Sequence, residues 1–191
     1  MYRPAELYTQ PVTEPLSLTD VKAQLAIASS DTSHDAVLAA MIQEAREAWE
    51  HDTETVLCHQ SFRIRLDSIF NGFSLPKKPV SSITSIKYYD TNNGQQTLSP
   101  SIYQLDTATG KVRLAYQQDF PVTAVRWDAW EIIYKCGYSE DSSLVPGIAK
   151  RAMLLLISYW FENRDMLISE GFQSTAPYEL LVKKFMRATY P

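Results

Sequence analysis

The apolar residues of this chain change period twice along its length, and that double change limits the folds open to it. From about His34 to Thr55, Leu38, Met41, Ile42, Ala45, Ala48 and Trp49 recur at three- and four-residue spacing, the stripe of an amphipathic helix. Near Cys58 the period falls to two. Phe62, Ile64 and Leu66 alternate with Arg63, Arg65 and Asp67, as on a strand buried on one face. Near Pro146 it lengthens again, with Met153, Leu156, Ile157 and Trp160 on one stripe widened by Ala149, Ala152, Leu155 and Tyr159. Helical ends around an extended middle read as α+β: a helical bundle formed by the N- and C-terminal helices, with an inserted antiparallel β lobe.

The boundaries follow. Residues 1–15 hold three of the ten prolines and read as an extended arm. Residues 16–57 and 146–191 form the helical domain, 58–138 the inserted β-rich lobe and 139–145 a linker. Helices are expected at about 18–26, 34–55, 146–168 and 178–188. The first has a clear start signal, with Ser17 as N-cap, Asp20 at the third helical position and Leu16 placed to staple against Val21. Glu44, Arg46, Glu47 and Glu50 fall mainly off the apolar stripe of the second helix and are expected in solvent. Further strands are expected at Ile83–Tyr89, followed by the hairpin-type turn Thr91-Asn92-Asn93-Gly94, and at Ile102–Leu105, Lys111–Leu114 and Ala129–Lys135. Leu38, Ile42 and Trp49 are the candidate core on one side, and Met153, Leu156 and Trp160 on the other. With 45% hydrophobic residues the chain can bury such a core.

A search for chemistry finds little. His51, Asp52, Glu54, Cys58 and His59 crowd the end of the long helix, but without the spacing of a zinc site. There is no phosphate loop, no dinucleotide fingerprint and no nucleophile elbow, and six scattered glycines give no cradle for a nucleotide. No catalytic, metal or cofactor-binding residue is assigned, and no cofactor is expected. Cys58 and Cys136 stand in unrelated contexts and read as free thiols. The apolar run Met153–Phe161 is too short to span a bilayer, so no membrane partner is expected. A net charge of −4 without a single-sign block argues against a non-specific nucleic-acid binder. Lys77 and Lys78, with Arg63 and Arg65, make either a modest basic patch or a solvated face. Trp127 and Trp130 line the core of the sheet by default, or else anchor an interface. Phe172 and Tyr178 complete the candidate interface residues.

Four stretches carry a resemblance. They are Pro15-Leu16-Ser17-Leu18-Thr19-Asp20-Val21-Lys22-Ala23-Gln24-Leu25, then Leu75-Pro76-Lys77-Lys78-Pro79-Val80-Ser81-Ser82-Ile83-Thr84-Ser85-Ile86, then Cys136-Gly137-Tyr138. The last runs from Val145-Pro146 through Lys150, Ala152 and Leu154-Leu155-Leu156 to Trp160-Phe161-Glu162-Asn163-Arg164. In this order and spacing the chain resembles the head–tail connector, or head-completion adaptor, family of tailed bacteriophages and prophages. The resemblance implies a structural, non-enzymatic subunit of the virion, found at the head–tail junction and in the host cytoplasm before assembly. It implies a ring of the chain itself, of twelve copies, assembled on the portal protein. A tail-side completion or stopper protein would adjoin the ring, and DNA would pass through it without sequence recognition. Residues 1–14 lie outside the match, and those beyond Asp165 match poorly.

Overall fold

A computed structural model describes residues 4–163 and 175–189. The chain forms two compact units, one of residues 1–12 and 59–138, the other of 13–58 and 139–191.

The first unit is made of strands. Five antiparallel strands form one sheet in the order β1 (Glu6–Thr9), β2 (Gln60–Leu66), β8 (Trp130–Cys136), β4 (Val80–Tyr89), β5 (Gln95–Thr97). The remaining three, β3 (Phe73–Ser74), β7 (Lys111–Leu114) and β6 (Tyr103–Asp106), form a second antiparallel sheet. The period-two pattern sets the register: Phe62, Ile64 and Leu66 lie opposite Tyr134, Ile132 and Trp130 and are buried with them. Phe73, Leu75, Val80, Ile86, Leu98 and Val112 complete the lobe's core.

The expected arm takes a more definite form at residues 6–9, which pair with β2 as the edge strand β1. Glu6 holds it there, since its carboxylate accepts from Arg63 Nε at 3.1 Å and Nη2 at 2.7 Å. The turn between β4 and β5 is built on Asp90, whose carboxylate accepts from the backbone N–H groups of Asn92 and Gly94, each at 2.9 Å. The bonds from Gly94, from the Gln96 side chain and from Asn92, in that order, hold its pKa below the ordinary carboxylate value. A Cβ at Gly94 would stand 3.1 Å from Asp90 Oδ2, so a larger residue there would press on the carboxylate that builds the turn.

The second unit is helical: α1 (Leu18–Gln24), α2 (Asp35–Thr53), α3 (Gly147–Glu162) and α4 (Ala176–Thr189). Helix α3 packs against the other three. All six expected core residues are buried here, namely Leu38, Ile42, Trp49, Met153, Leu156 and Trp160. The segment expected as a linker, 139–145, belongs to this unit. Ser139 bridges to Cys58, Asp141 closes a turn by accepting from Ser143 N and Oγ, and Val145 is buried. Pro146 takes the cap position of α3 rather than its first turn, and its carbonyl accepts from Ala149 N at 2.9 Å. This helix ends at Glu162, where Asn163 caps it by donating its N–H to Tyr159 O, short of the expected 168.

Helix α1 begins with a complete capping box: Ser17 Oγ accepts from Asp20 N at 3.1 Å, and Asp20 Oδ2 accepts from Ser17 N at 3.0 Å. Replacing Ser17 by Ala is expected to cost about 1 kcal/mol of unfolding free energy, measured by denaturant titration. The Ser17 side-chain and backbone hydrogen bonds lower the pKa of Asp20 from its ordinary 3.8. Because the folded value lies below the unfolded one, this contribution is complete above the unfolded pKa and is lost as pH falls through the folded one. Stability of the Ser17→Ala variant should therefore fall less steeply than the parent's below pH 4.

Candidate assembly surfaces

No group of three or more His, Cys, Asp and Glu side chains able to hold a metal occurs among the described residues. The titratable cluster at the end of α2 is dispersed by the local backbone. Glu54 ends the helix in the left-handed region at φ 55°, so the residues after it leave the helix axis. His51 is exposed with its ring on Asp52, while the other carboxylate oxygen of Asp52 accepts from Tyr178 Oη at 2.9 Å. Cys58 is buried, which together with the nearby Glu14 and Glu50 carboxylates pushes its thiol up to about 11. A thiol held protonated in this way makes a poor nucleophile or ligand. No helix among the described residues is long and apolar enough to cross a membrane.

The candidate interface residues divide by burial. Trp130 is 2% exposed, with Tyr88 at 5.2 Å and Phe120 at 5.8 Å between ring centroids. Tyr178 is 1% exposed against Trp49 and Asp52. These two belong to the cores of their units, and the interface expectation is corrected for both. Each begins a run whose apolar side chains share one buried face, Trp130 with Ile132 and Tyr134, Tyr178 with Val182 and Phe185. That spacing was the signal against an interface role. Phe172 lies outside the described residues.

Lys77 and Lys78 are half-buried at the entry to β4, where the Lys78–Pro79 peptide is cis. Their backbone is engaged: Lys77 N donates to Tyr134 Oη at 3.3 Å, and Lys77 O accepts from Cys136 Sγ at 3.2 Å. The arginines expected to join them are paired elsewhere, Arg63 with Glu6 at 2.7 Å and Arg65 with Glu6 at 3.5 Å and Glu131 at 3.7 Å. These ion pairs offset the charge a basic patch would need.

Trp127 remains as the exposed candidate, at 78%. It sits in residues 115–129, the loop from β7 to β8, where Tyr116, Val122 and Val125 are also exposed. The loop is fastened at several points. Arg126 lies over the Tyr89 ring, 3.9 Å from its centroid, and donates to Asn93 Oδ1 at 2.6 Å and to Trp127 O at 3.1 Å. Ala124 N donates to Tyr89 O at 3.0 Å, and Asp128 N to Asp67 Oδ1 at 3.0 Å.

One polar feature escaped the pattern reading. Arg46, expected in solvent, is only 3% exposed. Its Nε donates to Glu14 Oε2 at 2.8 Å and its Nη1 to Glu50 Oε2 at 3.1 Å, with Glu47 at 3.5 Å. Burial disfavours the charge, but the hydrogen bond to Glu14 and the charges of Glu14, Glu50 and Glu47 outweigh it and raise the pKa.

The described residues thus form a lobe of strands and a unit of helices, with the apolar 115–129 loop as the exposed surface of the lobe. Residues 15–109 match the phage gp6-like head-tail connector protein family, and the chain belongs to it. The family is one of structural connectors, not enzymes. No curated protein matches the chain in sequence. Among solved structures, the fold is similar to a chain in the neck of an empty gene transfer agent (GTA) particle computed with C6 symmetry. The TM-score is 0.77 at 20% identity, over 96% of this chain and 95% of that one. A chain of the native GTA particle neck computed with C12 symmetry gives 0.73 at 20% identity, over 96% and 94%. A chain from the virion of the native GTA particle gives 0.75 at 19% identity, over 94% and 93%. The likeness thus extends past the family match into the C-terminal helices.

Proposed function

We propose that this head–tail connector acts as a closed ring of twelve copies beneath the portal. The portal protein would lie on its head side, a tail-side completion or stopper protein below, and DNA would pass through its channel. The observation that supports this most is the similarity of nearly the whole chain to neck chains from particles treated with six- and twelve-fold symmetry. A closed ring requires each subunit to offer two different surfaces that complement each other. A net charge of −4 suits a wall that DNA passes rather than one that grips it. The subunit would be made in the host cytoplasm and end at the head–tail junction. Imaging of assembled particles tests the reading. A twelve-fold ring density at the portal–tail junction that fits this chain is the expected result, and absence of the chain from finished particles would overturn it.

A further inference from the structure

The 115–129 loop of the β lobe is an apolar ridge on a fixed base. Tyr116, Val122, Val125 and Trp127 project from it, while Arg126 on Tyr89, Phe120 on Trp130 and the Ala124–Tyr89 hydrogen bond hold the backbone beneath. A long loop that is tethered yet keeps its large apolar side chains outside has the character of a contact surface. Carboxylates outnumber cations beside it: Asp119 is exposed on the loop and Asp67 and Asp128 lie at its base, while the one cation of the loop, Arg126, is held by Tyr89 and Asn93.

The helical unit carries a surface of the opposite kind. A groove of about 300 Å³ on α1 and α3 is lined by Gln24, Gly147, Lys150, Arg151, Leu154 and Leu155. The two leucines are half-buried, and Lys150 and Arg151 put positive charge beside them. An apolar groove edged by cations complements in sign an apolar loop beside which carboxylates predominate.

We infer that the 115–129 loop of one copy docks into the α1–α3 groove of the next, with Trp127 as the central anchor. This rests on the ring reading above. The occupant is a second copy because ridge and groove are two different, complementary surfaces carried by the same chain, which is the head-to-tail pairing a closed ring needs. An exposed tryptophan that becomes fully buried at such a contact dominates its energy.

The test places cysteines at Val125→Cys and Arg151→Cys in the full chain, within particles assembled from it. The natural Cys58 and Cys136 are buried and in no disulfide, so the new thiols provide the cross-linking signal. On mild oxidation the expected result is a ladder of covalent oligomers, dimer, trimer and upward, that collapses on reduction. Uncross-linked chains, an internal bond within one chain, or dimers alone would each overturn the inference. A charge exchange supports it without adding cysteine: Asp119→Lys and Arg151→Glu should each lower ring incorporation, and together they should restore it. Trp127→Ala should weaken each contact by roughly thirtyfold or more. If ring density is present in the particles and no ladder forms, only the loop–groove pairing falls. If particles of the parent chain show no ring, the ring reading itself falls.

Discussion

Replacing Trp49 by Ala should destabilise the helical unit by about 3–5 kcal/mol, the range for removing a fully buried aromatic side chain. Trp49 has no exposed surface. It meets the Phe185 ring edge-on at 5.2 Å between centroids and the Tyr178 ring at 6.3 Å, so one side chain of α2 holds two aromatic residues of α4. Each such pair adds about 0.5–1.5 kcal/mol beyond the area it buries. The indole N–H makes no hydrogen bond among the described residues, so truncation strands no polar partner and the loss is one of packing. Trp49→Phe should accordingly recover a large part of the stability. With two compact units, unfolding need not be two-state, so the loss is best read from a probe in α4, such as hydrogen exchange of its amides. A loss below about 1 kcal/mol would show that the α2–α4 contact contributes little.

What the sequence revealed and concealed follows from which residues carry a period. Helices α2 and α3 and strand β2 each bury one regular face, and these, with β4 and β8, were legible in place and type. Strands β1, β3 and β5 were not. All four residues of β1 and all three of β5 are exposed, and β3 has only two residues, so no alternation marks them. Strands β1 and β3 pair with partners distant in sequence, as Glu6 does with Arg63, and β5 pairs with β4 across the Asp90 turn. Among the candidate interface residues, residue type misled where spacing would have guided. Trp127 and Trp130 are three apart in one segment, yet Asp128 between them has φ 55°, and the chain reverses from exposed loop to buried strand across it. The groove on α1 and α3 had no signature at all, because it depends on how two helices far apart in sequence meet.

The buried ion cluster of α2 was hidden for a related reason, and it supports the second large effect. Ile42, Arg46, Trp49 and Thr53 follow one another at helical spacing, and all four are buried. Arg46 thus lies on the inner face, where a charge pattern alone would not put it. Replacing Arg46 by Ala leaves the Glu50 carboxylate, 12% exposed, without its cation while it still accepts from Leu57 N at 2.8 Å, and it frees Glu14 from its 2.8 Å bond. Removing one partner from a buried ion pair costs about 3–5 kcal/mol, because the remaining charge must stay desolvated without compensation. Arg46→Met keeps much of the aliphatic packing, so the difference between the two variants separates lost volume from lost charge. If charge dominates, Arg46→Met should remain destabilised by more than half the Ala value. The coupling can be isolated by a cycle with Glu14→Gln, in which the Arg46 and Glu14 losses should fall short of additivity by about 0.5–3 kcal/mol. Strict additivity in urea titrations would mean that Arg46 is held by Glu50 and Glu47, with Glu14 contributing no more than a solvent-exposed pair would.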